Sequence, residues 1–181
     1  MLHVVLLEPE IPANTGNIGR TCVATGTKLH LVGPLGFRLN EKALARAGLD
    51  YWDALDVAVY ADFADFLGRN PGARLYPATT KAARVYSDVD YLPDAFLLFG
   101  KESAGLPEEI LARYADTCVR IPMQGEFRSL NLSNAVAIVL YEALRKQGFP
   151  GMKQAGGKLG RSWNIQPVTP PPQSPRFSPP G

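Results

Sequence analysis

Residues 96–110, FLLFGKESAGLPEEI, contain a short apolar run, a polar loop with two glycines, and the start of an amphipathic segment. Four apolar residues followed by Gly100 are typical of a buried strand, because a strand covered on both faces shows no alternation. Pro107 is typical of the first position of a helix. The stretch therefore predicts a strand, a loop and a helix in succession, the unit from which parallel sheets are built.

The same alternation of apolar runs and amphipathic segments extends over most of the chain. Strands are predicted at 2–7, 29–33, 55–60, 74–79, 95–100 and 118–122, and helices at 17–25, 41–48, 62–69, 107–114 and 132–146. We therefore predict an α/β fold with a mostly parallel sheet and helices on both faces.

The segment LSNAVAIVLYEALRK (132–146) is the clearest predicted helix. Its apolar residues recur at helical spacing, and basic residues followed by Gly148 mark its C-terminal end. A second face, with Ile138 and Tyr141, is also apolar and needs a burial partner. We expect these two residues to lie in the interface of a homodimer.

Length and composition predict one compact domain. A chain of 181 residues, 46% of them hydrophobic, can bury one sizeable core. After Pro150 the sequence becomes rich in glycine and proline. We predict a domain at 1–150 and a flexible or polyproline-like tail at 151–181, with contact to RNA or to a polyproline-binding partner as the alternative to simple disorder.

Charge gives no whole-domain indication of nucleic-acid binding. The formal net charge is +2, and the tail contributes four basic and no acidic residues, which leaves 1–150 at −2. RNA binding would therefore require a local patch, a dimer groove or the tail. The N-terminus lacks the features of a signal peptide, and no apolar run reaches the ~20 residues that span a bilayer. We expect a cytoplasmic protein without a membrane partner.

The histidines and cysteines are predicted to be structural. His3 and His30 lie in two apolar strands expected to be neighbours, without a nearby cysteine or carboxylate that would suggest a ligand or a base. Cys22 and Cys118 lie in apolar runs and are expected to be buried free thiols of a reducing compartment. No metal site is predicted.

The segment EPEIPANTGNIGR (8–20) leaves a predicted strand and opens a helix. Asn14 or Thr15 can cap that helix, and the free N–H groups of a first helical turn favour an anion such as phosphate. Arg20 is expected on the first turn, facing the same loop. The alternative is an ordinary capped helix with a surface arginine.

Two further segments place polar groups beside predicted strand ends or helix starts. In 96–110, Gly100 would let a flat ring or a ribose approach the backbone, although glycine is common in ordinary loops of this kind. Around the start of the last predicted helix, the polar residues exceed what capping needs, which indicates a polar site: Ser129, Asn131, Ser133 and Asn134. Plain capping is the alternative.

Taken in order, NTGNIGR (14–20), LLFGKESAGLP (97–107) and IPM…RSLNLSN (121–134) resemble the three motifs of the SPOUT superfamily of RNA 2'-O-ribose methyltransferases. The resemblance covers nearly all of 1–151 and is strongest to the TrmL or YibK group, which methylates the wobble-nucleotide ribose of tRNA. It implies a homodimer with a deep trefoil knot in the C-terminal half, an exception to the rule that chains avoid knots.

The resemblance also implies an S-adenosylmethionine pocket, with no metal. The matching cofactor positions are Ala78, Thr79, Gly100, Glu102, Ile121, Met123, Ser129, Leu130 and Asn131. Catalysis is expected to involve Arg20 and Asn14, and RNA binding Asn17, Arg20 and Arg128.

Arg20 matches the arginine that related enzymes use at the 2'-hydroxyl. A guanidinium is a poor base because its pKa exceeds about 12. We therefore expect Arg20 to hold an RNA phosphate and stabilise the developing alkoxide, with proton removal by Arg20 itself as the alternative. The competing functions are methylation of another tRNA or rRNA ribose, and a non-catalytic RNA-binding dimer of the same fold.

Overall fold

The computed structural model describes residues 1–38, 52–125 and 129–156. Among these residues the strands are β1 (His3–Leu7), β2 (Lys28–Val32), β3 (Val57–Tyr60), β4 (Leu75–Pro77) and β5 (Phe96–Phe99). The helices are α1 (Pro12–Thr25), α2 (Phe63–Arg69), α3 (Glu108–Arg113) and α4 (Leu132–Lys146), and short 3-10 turns occupy Trp52–Ala54, Tyr86–Asp88 and Ala115–Thr117.

The five strands form one sheet in the order β3-β2-β1-β5-β4, and every neighbouring pair is parallel. This confirms the predicted α/β fold. Each strand end falls within about two residues of its predicted position, as expected for boundaries read from periodicity.

Within the described residues, two helices cover each face of the sheet. On one face, Val4 and Leu6 of β1 belong to a buried cluster with residues of α1 and α4, including Ile18, Cys22 and Val139. On the other face, Val5 and Leu7 belong to a cluster with Phe66 of α2 and Ile110 and Leu111 of α3. Successive β1 residues thus point to opposite apolar layers, which explains the absence of polar alternation.

The two histidines lie on neighbouring strands, as predicted, and form a hydrogen-bonded chain. His3 Nδ1 is 2.9 Å from His30 Nε2, and His30 Nδ1 is 2.8 Å from the Tyr60 hydroxyl. Burial lowers the pKa of His30 to about 3, so its ring is neutral at physiological pH. These contacts fit a structural role.

The predicted start of α1 was wrong. The helix begins at Pro12 rather than at residue 17, and neither Asn14 nor Thr15 caps it, because Ile11 occupies the N-cap position. Pro12 is suited to the start because a first-turn residue needs no N–H donor. Arg20 consequently lies in the third turn of the helix instead of the first.

The predicted sixth strand at 118–122 was also wrong. Only isolated parallel bridges form there, between Val119 and Ala78 and between Arg120 and Val85. Pro77 lacks an N–H group and Pro122 follows closely, so a continuous ladder cannot extend. The predicted helix at 41–48 lies outside the described residues.

The predicted burial of the cysteines as free thiols is confirmed for Cys22 and Cys118, and the reducing compartment stays a prediction. Burial raises the pKa of the Cys22 thiol to about 12, which makes it unreactive. No helix in the described part of the chain is long and apolar enough to cross a membrane. Of the predicted tail, residues 157–181 lie outside the described ranges, and the domain boundary at 150 stays a prediction.

Candidate active site

The carboxyl ends of β1 and β5 lie side by side at the point where the strand order reverses. After β1 the chain crosses through α1 to β2, whereas after β5 it passes through α3 to the opposite side, next to the end of β4. Parallel sheets bind ligands in the crevice at such a point. The loops that follow β1 and β5 therefore border the candidate site.

Glu102 joins these two loops through its carboxylate. The backbone N–H of Glu10 donates to Oε2 at 2.8 Å, and the N–H of Ile11 and the Nδ2 of Asn14 donate to Oε1 at 3.2 and 2.9 Å. These contacts satisfy donors at the start of α1, where a carboxylate also interacts favourably with the helix dipole. Glu102 thus fixes the geometry of the crevice.

Asn14 extends this contact to α4. It is 5% exposed, and its Oδ1 accepts a hydrogen bond from Asn131 Nδ2 at 3.0 Å. Asn131 in turn caps α4, accepting from the N–H groups of Ser133 and Asn134 at 2.9 and 3.4 Å. Both polar atoms of Asn14 are therefore used within the protein, which is the pattern of a positioning residue. Its predicted catalytic role stays a prediction.

Two more carboxylates hold the loop after β5. Glu10 accepts from the Ser103 N–H and hydroxyl at 2.9 and 2.8 Å, and these bonds lower the pKa of its carboxyl. Lys101 Nζ donates to Glu8 at 2.9 Å, which raises the pKa of the lysine. Glu8, Glu10 and Ser103 are not among the site residues predicted from the sequence. The sequence places these residues just after two predicted strands. It does not show that the two strands are neighbours in the sheet, so it could not identify the contacts.

Gly100 is required by the packing of the loop on itself. A Cβ at this position would lie 2.1 Å from the carbonyl carbon of Gly105 and 2.4 Å from the nitrogen of Leu106. The predicted reason, access for a ligand ring, was therefore incomplete, because the backbone of 105–106 already occupies the space. The absence of a side chain lets the loop fold back, as the hydrogen bond from Gly105 N–H to the Lys101 carbonyl shows at 2.8 Å.

A cavity of about 490 Å³ opens at these strand ends. Apolar groups from Phe99, Leu106 and Leu132 line it together with polar groups from the loops. All nine predicted cofactor positions are in its lining: Ala78, Thr79, Gly100, Glu102, Ile121, Met123, Ser129, Leu130 and Asn131. The structure thus brings together residues that are up to 53 positions apart, from 78 to 131. The volume of the cavity is in the range of small-molecule binding sites.

Two of the three predicted RNA-binding residues lie outside this cavity. Asn17 and Arg20 are exposed on α1 and do not line the cavity. Arg128 lies outside the described residues. Conversely, Thr80 and Lys81 line the same cavity but were not predicted from the sequence, although they directly follow two predicted cofactor positions. In the described ranges, no group of three or more metal-binding side chains is found.

Replacement of Glu102 tests the contact between the two loops. Glu102→Gln exchanges one acceptor oxygen for an amide that faces another donor. We expect the free energy of unfolding to fall by about 1–2 kcal/mol, with weaker cofactor binding. Urea denaturation and calorimetry measure both. Glu109→Gln, on the exposed side of α3, is the matched control; equal effects in the two variants would contradict the assigned contact.

Comparison with known families gives the class of protein. The SpoU rRNA Methylase family matches residues 1–141, and the chain belongs to this family. It is therefore a methyltransferase with its cavity at the switch point of a parallel sheet.

Individual relatives of the chain are tRNA and rRNA methyltransferases. The chain is 50% identical over 157 residues to the tRNA (cytidine(34)-2'-O)-methyltransferase of Yersinia pestis, covering 83% of this chain and 97% of that protein. A solved structure described as giving insight into the 2-OH methylation of C/U34 on tRNA is 47% identical, with a TM-score of 0.78 and coverage of 82% and 97%. The AdoMet-bound rRNA methyltransferase of Sinorhizobium meliloti is 34% identical, with a TM-score of 0.71 and coverage of 80% and 56%.

Proposed function

We propose that this protein transfers a methyl group from S-adenosylmethionine to the 2'-hydroxyl of the ribose at the wobble pyrimidine, nucleotide 34, of tRNA. The observation that carries the proposal is the convergence of all nine predicted cofactor positions on one cavity at the ends of β1 and β5. The name of the Yersinia pestis relative supports the wobble position.

The residues of the cavity fit a nucleoside cofactor. Leu106, Ile121 and Leu132 offer apolar surface for an adenine ring, and Thr79 and Ser129 offer hydroxyl groups for a ribose. When bound, S-adenosylmethionine supplies an electrophilic methyl group on a sulfonium, so no metal is needed. The protein contributes position, because holding the ribose oxygen in line with the methyl group lowers the barrier.

Arg20 supplies the charge that this reaction needs at the RNA. Its guanidinium holds a substrate phosphate and stabilises the alkoxide that develops at the 2'-oxygen, with proton removal by Arg20 as the second possibility. Asn17, one turn earlier and also exposed, would contact the same RNA segment. Arg128 is proposed as a third RNA contact on sequence grounds alone.

A homodimer is proposed to complete the site. Tyr141 is 43% exposed on α4 and Ile138 is half-buried beside it, which leaves apolar surface for a second protomer. Because α1 packs against α4, a dimer through this face also brings Asn17 and Arg20 close to the partner. The deep trefoil knot of the family and a cytoplasmic location belong to the same proposal.

The dimer is tested at its exposed apolar surface. Tyr141→Glu places a charge in the proposed interface, and we expect a monomer by light scattering together with a loss of methyl transfer. Ala112→Glu, on the exposed face of α3, adds the same charge away from the interface and should leave the dimer intact. An unchanged mass for Tyr141→Glu would contradict the interface.

Methyl transfer to total tRNA, followed by nucleoside mapping, tests the proposed activity. We expect one labelled 2'-O-methylated pyrimidine nucleoside, located at position 34. Label at another tRNA position, or in rRNA only, would overturn the wobble assignment while keeping the reaction. Binding of S-adenosylmethionine without any transfer would favour a non-catalytic RNA-binding dimer.

A further inference from the structure

Lys81 extends from the wall of the cavity into solvent. Its side chain is 63% exposed, yet the residue lines the cavity. The backbone around it is held firmly: the Thr79 N–H donates to the Val119 carbonyl at 2.9 Å, and the Lys81 N–H donates to the Thr79 hydroxyl at 3.3 Å. A fixed backbone therefore presents an exposed ammonium group at the cavity mouth.

The ammonium group is paired with Glu108, the first residue of α3. Lys81 Nζ donates to Glu108 Oε1, and the Glu108 side chain is 73% exposed. The pair connects the loop after β4 to α3, whose Leu111 lines the same cavity. Because ion pairs this exposed contribute little, another anion can replace the carboxylate at small cost.

Two further cations lie on the adjoining segments. Arg84 is exposed and Arg120 is half-buried, and the Arg120 N–H donates to the Arg84 carbonyl at 2.9 Å. Neither arginine forms an ion pair with a carboxylate of the described residues. Since residues 1–150 carry a net charge of −2, a local group of cations is what an RNA backbone would require.

We propose that Lys81 binds a phosphate of the RNA substrate at the mouth of the cavity, and that Glu108 is the internal anion which this phosphate displaces. The inference rests on the proposed function and extends it, because it assigns an RNA contact to a segment that bears none of the predicted RNA-binding residues. Lys81 is a substrate-binding residue in this scheme.

The test compares charge changes inside and outside this pair. The affinity for tRNA of Lys81→Gln, Glu108→Gln and the wild type is measured over a series of salt concentrations. Lys81→Gln is expected to bind about three- to tenfold more weakly and to reduce the salt slope by about 0.7–0.9, the value for one phosphate. Glu108→Gln is expected to bind about two- to fivefold more tightly, since the competing anion is gone.

Matched controls separate the local contact from a change in net charge. Lys28→Gln removes a lysine that is paired with Asp56 at the opposite end of the sheet, and Glu109→Gln removes the neighbour of Glu108. Both should bind tRNA like the wild type. Lys81→Arg should restore most of the affinity and the slope, because the charge is retained.

Several results would overturn the inference. One is unchanged tRNA affinity in Lys81→Gln; another is weaker S-adenosylmethionine binding by calorimetry in that variant, which would assign the ammonium to the cofactor carboxylate. Weaker tRNA binding in Glu108→Gln would show that the Glu108 carboxylate does not compete with an RNA phosphate for Lys81. If the wild type methylates position 34 while Lys81→Gln binds normally, the inference alone fails; if the wild type methylates no tRNA, the proposed function fails.

Discussion

Arg20→Ala is expected to lower the rate of methyl transfer by about 10²–10³-fold while leaving the affinity for S-adenosylmethionine unchanged. The reason is positional, since Arg20 is exposed on α1 and does not line the cavity. Single-turnover assays with tRNA measure the rate, and calorimetry measures cofactor affinity.

The control for Arg20 is an exposed arginine remote from α1. Arg74→Ala removes the arginine that precedes β4 and should leave both quantities unchanged. Arg20→Lys keeps the charge but loses the planar fork, so partial transfer is expected. Weaker cofactor binding with normal transfer in Arg20→Ala would mean that the roles of Arg20 and the cavity have been exchanged.

Gly100→Ala is expected to destabilise the protein by more than about 1–3 kcal/mol and to weaken cofactor binding at least about tenfold. The added Cβ would lie 2.1–2.4 Å from backbone atoms of Gly105 and Leu106, which cannot move aside as a side chain would. The loop after β5 must shift, and it forms one side of the cavity. Urea denaturation and calorimetry measure the two effects.

Gly68→Ala provides a matched glycine control. A Cβ at Gly68 meets nothing within 4 Å, and the residue lies within α2, where alanine is preferred. We expect stability to rise by about 0.5–1 kcal/mol with unchanged cofactor affinity. Normal stability and cofactor affinity in Gly100→Ala would show that the loop can relax. That result would contradict the requirement for glycine at this position.

The fold could be predicted because strands buried on both faces of a parallel sheet are recognisable in the sequence as short apolar runs. Short, mostly apolar runs such as FLLF located all five strands of the sheet. The sixth predicted strand failed because the run CVRIP has the same local pattern, yet its neighbour β4 ends in Pro77. Strand formation depends on the hydrogen-bonding partner, which the run itself does not contain.

The start of α1 failed for a related reason. Asparagine and glycine in 12–17 favour turns locally, but tertiary contacts outweigh that preference. Asn14 is buried and bound to Glu102 and Asn131, which are distant in sequence. A residue that suggests a loop or a cap in isolation can therefore lie within a helix when distant groups satisfy its side chain.

The cofactor positions could be predicted because the sequence resembles a known family. How these positions are arranged in space depended on the order of the strands in the sheet. The sequence by itself determined the α/β class, the limits of most elements and the residues expected at the site. Only the tertiary structure decided that Glu102, Asn14 and Asn131 form one chain of hydrogen bonds, that Gly100 is needed by its own loop, and that Lys81 faces Glu108. Local pattern is set by neighbours along the chain, whereas the side-chain contacts of Glu102, Asn131 and Lys81 named here join residues 27 to 117 positions apart, and packing brings them together.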